Sequence, residues 1–164
     1  MKKMLTALAM GMLVLALGCA EKEPQRGLIQ KKVEKSKDGK VLLEENYYVN
    51  RSGTIVPHGV TKRMFPDGTL RIQGEFKDGK SIGEWLEFYP DGKKKGSVMY
   101  KDGLVEGAFQ AWYANGQLQV KGSNVRGLQD GEWIYYAEDG KVSRTERWRE
   151  GEDLTGRPKL PGSE

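Results

Sequence analysis

The chain of 164 residues contains one cysteine and one histidine. A lone cysteine permits no internal disulfide and no cysteine metal cluster. The lone histidine, His58, leaves little from which to build a Ser-His-Asp or Cys-His constellation. It follows Pro57 and reads as a polar loop residue. No P-loop or Rossmann fingerprint is present, because the glycines recur as turn punctuation instead of clustering before a helix. Glu84 and Glu87 fall on opposite sides of a strand and read as solvated surface. No catalytic residue, metal site or cofactor is expected. A large excess of one charge is also lacking: the net charge is +4. Without Lys2 and Lys3 in the mature chain it is +2. With export, that near-balance argues against nucleic acid as a partner.

Long apolar runs are absent apart from one, residues 4–17, which is too short to span a bilayer. Lys2 and Lys3 precede it and small residues end it, as in a secretory signal. The run closes on Leu15-Ala16-Leu17-Gly18-Cys19. This resembles the lipobox of bacterial lipoproteins, in which the cysteine is acylated and becomes the first mature residue. Its commonest form has Leu where this chain has Ala16. The resemblance implies residues 1–18 as a lipoprotein signal peptide and a membrane anchor at Cys19, with 19–26 as a polar tether. Several acyl chains hold firmly where one would not. The expected location is the cell envelope, on the periplasmic side of the outer membrane if the host is Gram-negative. Residues 155–164 read as a disordered tail.

What the sequence has in abundance is glycine, at a fixed period. Gly59, Gly83, Gly107 and Gly131 are spaced by 24 residues, as are Gly68, Gly92, Gly116 and Gly140. Gly79, Gly103, Gly127 and Gly151 keep the same interval. Such a period means one small unit stacked on copies of itself. The units run 59–82, 83–106, 107–130 and 131–154, and 27–58 is a loosened N-terminal capping copy. Within each unit, two short strands flank Pro-Asp-Gly, Ala-Asn-Gly or Glu-Asp-Gly, a hairpin signature. Proline in a paired position would lose a ladder hydrogen bond, so a three-residue turn is expected. Met64 then opposes Leu70, Trp112 opposes Leu118 and Tyr136 opposes Val142. The expected fold is all-β, an elongated single sheet of tandem antiparallel hairpins.

Strict alternation from those pairs collects Leu86, Phe88, Ile72, Val98, Leu118, Val120 and Ile134 on a core face. The other face carries Trp85, Phe109 and Trp133 beside Phe65, Tyr89 and Tyr113. These six residues are the candidate binding face, for a protein partner or for stacked sugar rings. More than half burial of the Trp85, Phe109 and Trp133 column would make it packing and remove the glycan site. Lys93, Lys94 and Lys95 form a candidate basic patch for anionic headgroups or an acidic polymer. Charged residues near Arg144 to Glu150 are expected to guard the last sheet edge.

The pattern Gly-x-Trp-x-x-aromatic-Tyr-x-Asp/Asn-Gly, best formed by Gly83-Glu84-Trp85, Tyr89-Pro90-Asp91-Gly92 and Asp102-Gly103, resembles the MORN repeat. It is closest to the bacterial variant of YwqK-type proteins. The first unit departs, with Thr61 in the Trp column. The resemblance implies a ribbon of hairpins, a binding or scaffolding role and no chemistry of its own. The leading expectation is a lipid-anchored protein-interaction module. A cell-wall glycan-binding module and an immunity-type neutraliser of an envelope toxin are the alternatives.

Overall fold

A computed structural model describes residues 27–156. The signal segment, Cys19, its tether and residues 157–164 of the expected tail lie outside the described residues. Eleven strands form one antiparallel sheet in sequential order, each pairing with its neighbours in the chain. They are β1 (Gln30–Lys35), β2 (Val41–Val49), β3 (Ile55–Met64), β4 (Leu70–Lys77), β5 (Lys80–Phe88) and β6 (Lys94–Lys101). β7 (Leu104–Trp112), β8 (Leu118–Val125), β9 (Leu128–Tyr136), β10 (Val142–Arg149) and β11 (Glu152–Asp153) complete it. At the usual strand spacing the sheet is about 50 Å across. It is the expected ribbon of hairpins, with each repeat supplying two strands to its neighbours' ladders.

Two kinds of turn alternate, and each has its own chemistry. The hairpins β3–β4, β5–β6, β7–β8 and β9–β10 close through three residues, as in Pro66-Asp67-Gly68. There the Phe65 amide donates to the Thr69 carbonyl (2.8 Å) and the Gly68 amide to the Phe65 carbonyl (2.9 Å). Gly68 has φ 91°, which a side chain would resist. The predicted pairs Met64–Leu70, Trp112–Leu118 and Tyr136–Val142 are all present. The links between repeats are two-residue turns. Asp78-Gly79, Asp102-Gly103, Arg126-Gly127 and Glu150-Gly151 each have positive φ at both residues, the type I′ conformation that matches strand twist. In the capping copy this link is instead a three-residue turn between Asn50 and Thr54, which loosens the glycine spacing there.

The expected division of faces is overturned. After each three-residue turn the ladder carries one extra residue: Arg71, Lys95, Gln119 and Ser143. Such a bulge shifts the rest of its strand to the other face. Ile72 therefore pairs with Arg63, Val98 with Trp85 and Val120 with Ala111. Ile72, Val98 and Val120 share the face of the Trp column. Leu86, Phe88, Leu118 and Ile134 lie on the opposite face. Both faces are thus partly apolar, and no second layer covers either among the described residues. Among the described residues only Tyr48, Val120 and Trp133 are buried hydrophobic residues.

The C-terminal edge is blunted by more than charge. β11 pairs with Trp148 and Arg149 of β10, and the Arg147 amide donates to Thr155 Oγ1 at 3.1 Å. Thr155, expected to begin the tail, is therefore tied to the sheet. Arg144 and Glu146 pair with each other at 2.8 Å.

The turn aspartates each accept the backbone amide two residues on: Thr69 to Asp67 (2.8 Å), Lys93 to Asp91 (3.1 Å) and Lys141 to Asp139 (3.0 Å). Thr69 side-chain and amide donors hold Asp67 below the usual carboxylate range. The Lys93 amide and ammonium do so for Asp91, and the Lys141 ammonium and amide for Asp139. A carboxyl depressed by folding stabilises the native state above its unfolded pKa of about 3.9 and loses that contribution as pH falls through the folded value. The thermal midpoint should therefore drop between about pH 5 and pH 3. The triple variant Asp67→Asn, Asp91→Asn, Asp139→Asn should show a shallower drop, because the amide oxygen still accepts, as Asn115 does from Gln117 at 2.9 Å. Calorimetry across that range checks this, and equal slopes would refute it.

Candidate functional site

Two rows of side chains cross the aromatic face. The first contains Thr61, Gly74, Trp85, Val98, Phe109, Gly122, Trp133 and Glu146. Thr61 pairs with Gly74, Trp85 with Val98, Val98 with Phe109, and Phe109 with Gly122. An indole is wider than the space its strand allots, so its neighbour must be small. A Cβ built on Gly74 would stand 2.1 Å from the Trp85 ring, and one on Gly122 2.2 Å from Trp133. Where the column has the smaller Phe109, its partner is Val98. Phe109 and Trp133 meet with centroids 5.2 Å apart, with Gly122 on the strand between them. Phe76 and Tyr100 stand edge-on to Trp85 at 4.9 and 5.8 Å. Edge-to-face and tilted ring contacts at such distances are favourable beyond the area they cover.

This column is packed. Trp133 is 5% exposed and its indole N–H donates to the Ser123 carbonyl at 3.1 Å. Trp85 and Phe109 are each well over half buried. By the criterion set from the sequence, the rings form internal packing and offer no open platform for a sugar. Tyr89 and Tyr113 have a different task. Each hydroxyl reaches the next repeat, Tyr89 to the Trp112 carbonyl at 2.7 Å and Tyr113 to the Tyr136 carbonyl at 2.8 Å. They fasten successive hairpins together. Phe65 holds the equivalent position without a hydroxyl, and Arg71 lies 5.8 Å from its ring.

The second row runs Arg63, Ile72, Glu87, Gly96, Ala111, Val120, Tyr135 and Arg144, each paired with the next. Its centre carries no side chain larger than a methyl, because Gly96 pairs with Ala111. A hollow of about 340 Å³ opens there. Trp85, Val98, Tyr100 and Phe109 wall it, Ile72 and Tyr89 flank it, and Gln119 stands at one side. An ion pair between Glu87 and Lys95, 2.9 Å long, lies at its rim. The row ends in Arg144, whose guanidinium lies 3.6 Å from the Tyr135 ring centroid. Burial pushes the Tyr135 phenol up, and the Arg144 hydrogen bond holds the Glu146 carboxyl down.

The three lysines do not make one patch. Lys93 pairs with Asp91 at 3.0 Å and donates to the Ala114 carbonyl at 3.0 Å. Lys94 is on the opposite face, 6.0 Å from the Trp112 ring centroid. Lys95 is the bulge residue and reaches Glu87. The bulge and the turn send the run in three directions, and two of the three charges are matched by carboxylates. Glu84 accepts from Ser97 at 2.6 Å on the face opposite to Glu87, as expected.

His58 is not a loop residue. It lies in β3, partly buried, and its Nδ1 accepts the Asp78 amide at 3.2 Å. Glu106 accepts from Arg126 at 2.6 Å and Asp130 from Glu150 at 3.3 Å at the equivalent positions. A polar side chain thus caps a two-residue turn from twenty residues upstream. Ile82 breaks this series. The signal was present in sequence as a column of acceptors before the repeat glycine, but only pairing connects it to its amide. No group of three His, Cys, Asp or Glu side chains that could hold a metal occurs among the described residues.

A tandem β-hairpin repeat with a glycine-paired tryptophan column defines the class. The family model of the MORN repeat variant matches residues 82–102, 105–123 and 129–148. The three consecutive hairpins β5–β6, β7–β8 and β9–β10 are MORN-variant repeats. MORN repeats are in general modules of protein and membrane interaction. No curated protein matches the chain.

Gly122→Ala should displace the Trp133 ring and cost about 1–3 kcal/mol, the usual range for overpacking. Gly122→Val combined with Trp133→Phe, which copies the Val98–Phe109 pair, should recover part of that loss. Thermal unfolding of the three proteins checks this, and Gly122→Ala melting with wild type would contradict the packing argument.

Proposed function

We propose that the chain is a non-enzymatic, lipid-anchored envelope protein that binds a protein partner through the aromatic face of its MORN-variant sheet. The observation that carries this is the hollow between Gly96 and Ala111, a concave apolar site on a sheet that no second layer covers among the described residues. Concave, apolar sites with a few placed polar groups are where ligands and partners bind. The single histidine holds the Asp78 turn through Nδ1, a structural role that supports a non-enzymatic reading. The lipobox-like Leu15 to Cys19 supports anchoring at Cys19 and hence an envelope location, at the outer membrane in a Gram-negative host. The glycan alternative is weakened by the packing of Trp85, Phe109 and Trp133, and no observation favours the toxin-neutralising alternative.

Two measurements test the proposal. Cys19→Ser should move the protein from the membrane to the soluble fraction, and an unchanged distribution would reject the anchor. A photo-crosslinking amino acid at Gln119, which is exposed beside the hollow, should give discrete protein adducts in intact cells. Adducts to lipid or peptidoglycan alone would overturn the protein-binding assignment.

A further inference from the structure

Among the described residues four glycines lack a positive φ: Gly27, Gly74, Gly96 and Gly122. Three are required by close approach. A Cβ would come within 2.7 Å of the Val49 carbonyl oxygen at Gly27, and within 2.2 Å of an indole at Gly74 and Gly122. Gly96 is different. A Cβ there would meet Glu87 Cβ at 3.8 Å and the Gln110 carbonyl oxygen at 3.9 Å, both ordinary contacts. Neither backbone conformation nor space calls for glycine at this position. A glycine inside a strand weakens it and often marks a place where something else approaches closely.

The repeat itself says what is missing. One period before and after Gly96, the same column holds Ile72 and Val120. One period after Ala111, its column holds Tyr135. The central repeat thus omits the branched aliphatic side chain that the repeats on either side supply, and Ala111 beside it adds only a methyl, so the walls left are Trp85, Val98, Tyr100 and Phe109. We infer that the hollow over Gly96 is a docking pocket for one apolar side chain of the partner protein, of the size of the Ile72 and Val120 side chains that the neighbouring repeats place in this column. The occupant restores packing that the neighbouring repeats make for themselves. This rests on the protein-interaction assignment above and names the chemistry of its anchor. The Glu87–Lys95 pair at the rim is already neutralised, so the anchor carries no charge of its own.

The test uses the whole chain and small probes. N-acetyl-leucinamide is titrated while the indole N–H resonances of the four tryptophans are followed by NMR, with methyl N-acetylglucosaminide as the sugar arm. The Trp85 resonance should shift and saturate with the amino-acid probe. The Trp112 and Trp148 resonances should stay still. Gly96→Ile should fold, melt above wild type, and bind the amino-acid probe at least about tenfold more weakly. Ala111→Val, which fills the same space from the paired strand, should act in the same direction. The inference fails if Trp85 does not respond, if Gly96→Ile binds as wild type does, or if Gly96→Ile cannot fold. A response to the sugar alone also overturns it. Failure of these titrations with protein adducts still formed from position 119 would remove the pocket and leave the interaction assignment standing.

Discussion

One extra residue after each three-residue turn decides which side chains of this sheet meet. Because strand side chains alternate, an added residue sends everything beyond it to the other face. Arg71, Lys95, Gln119 and Ser143 provide that step once per repeat. Without it, Val98 and Val120 would sit away from the tryptophan column, and Gly96 would not lie in a row with Ile72, Ala111 and Val120. The aromatic packing, the ties between repeats and the hollow all follow from this register.

The second consequence is a sheet that stabilises itself sideways instead of through a layered core. Three hydrophobic residues are buried among the described ones. Stability comes from ladders, from rings seated over glycines and from side chains that cross between repeats. Tyr89 and Tyr113 tie carbonyls 23 residues away, and His58, Glu106 and Asp130 cap amides 20 residues away. Each contact joins only near neighbours, as in other repeat architectures, so a defect in one repeat is felt mainly by those beside it. The same arrangement leaves room for local departures. Ile82 omits a cap and Gly96 omits a side chain while the ladder continues through both.

Departure from the repeat is therefore the most informative signal for function. Regular positions are explained by packing: Trp85 and Trp133 need Gly74 and Gly122, and Phe109 accepts Val98. Gly96 has no such explanation, and it lies where the aromatic face opens into a hollow of about 340 Å³. A partner that fills it would meet rings already held by one another, so little conformational freedom would be lost on binding.

The 24-residue glycine interval, the hairpins, the three-residue turns and the pairs Met64–Leu70 and Trp112–Leu118 were all determined by sequence alone. Turn residues act locally, and Pro, Asp and Gly admit few backbone paths over three positions. The faces were not legible, because the bulges at Arg71, Lys95, Gln119 and Ser143 carry no residue type that marks them. The pairing of glycine with tryptophan was half visible: Gly74 and Gly122 each precede a tryptophan by eleven residues, while Val98 precedes Phe109 by the same interval. Its meaning needed the strands side by side. Only the tertiary structure showed that the tryptophan column is filled and that Lys93, Lys94 and Lys95 part company. It alone showed the space over Gly96, because burial and vacancy belong to side chains brought together from different repeats.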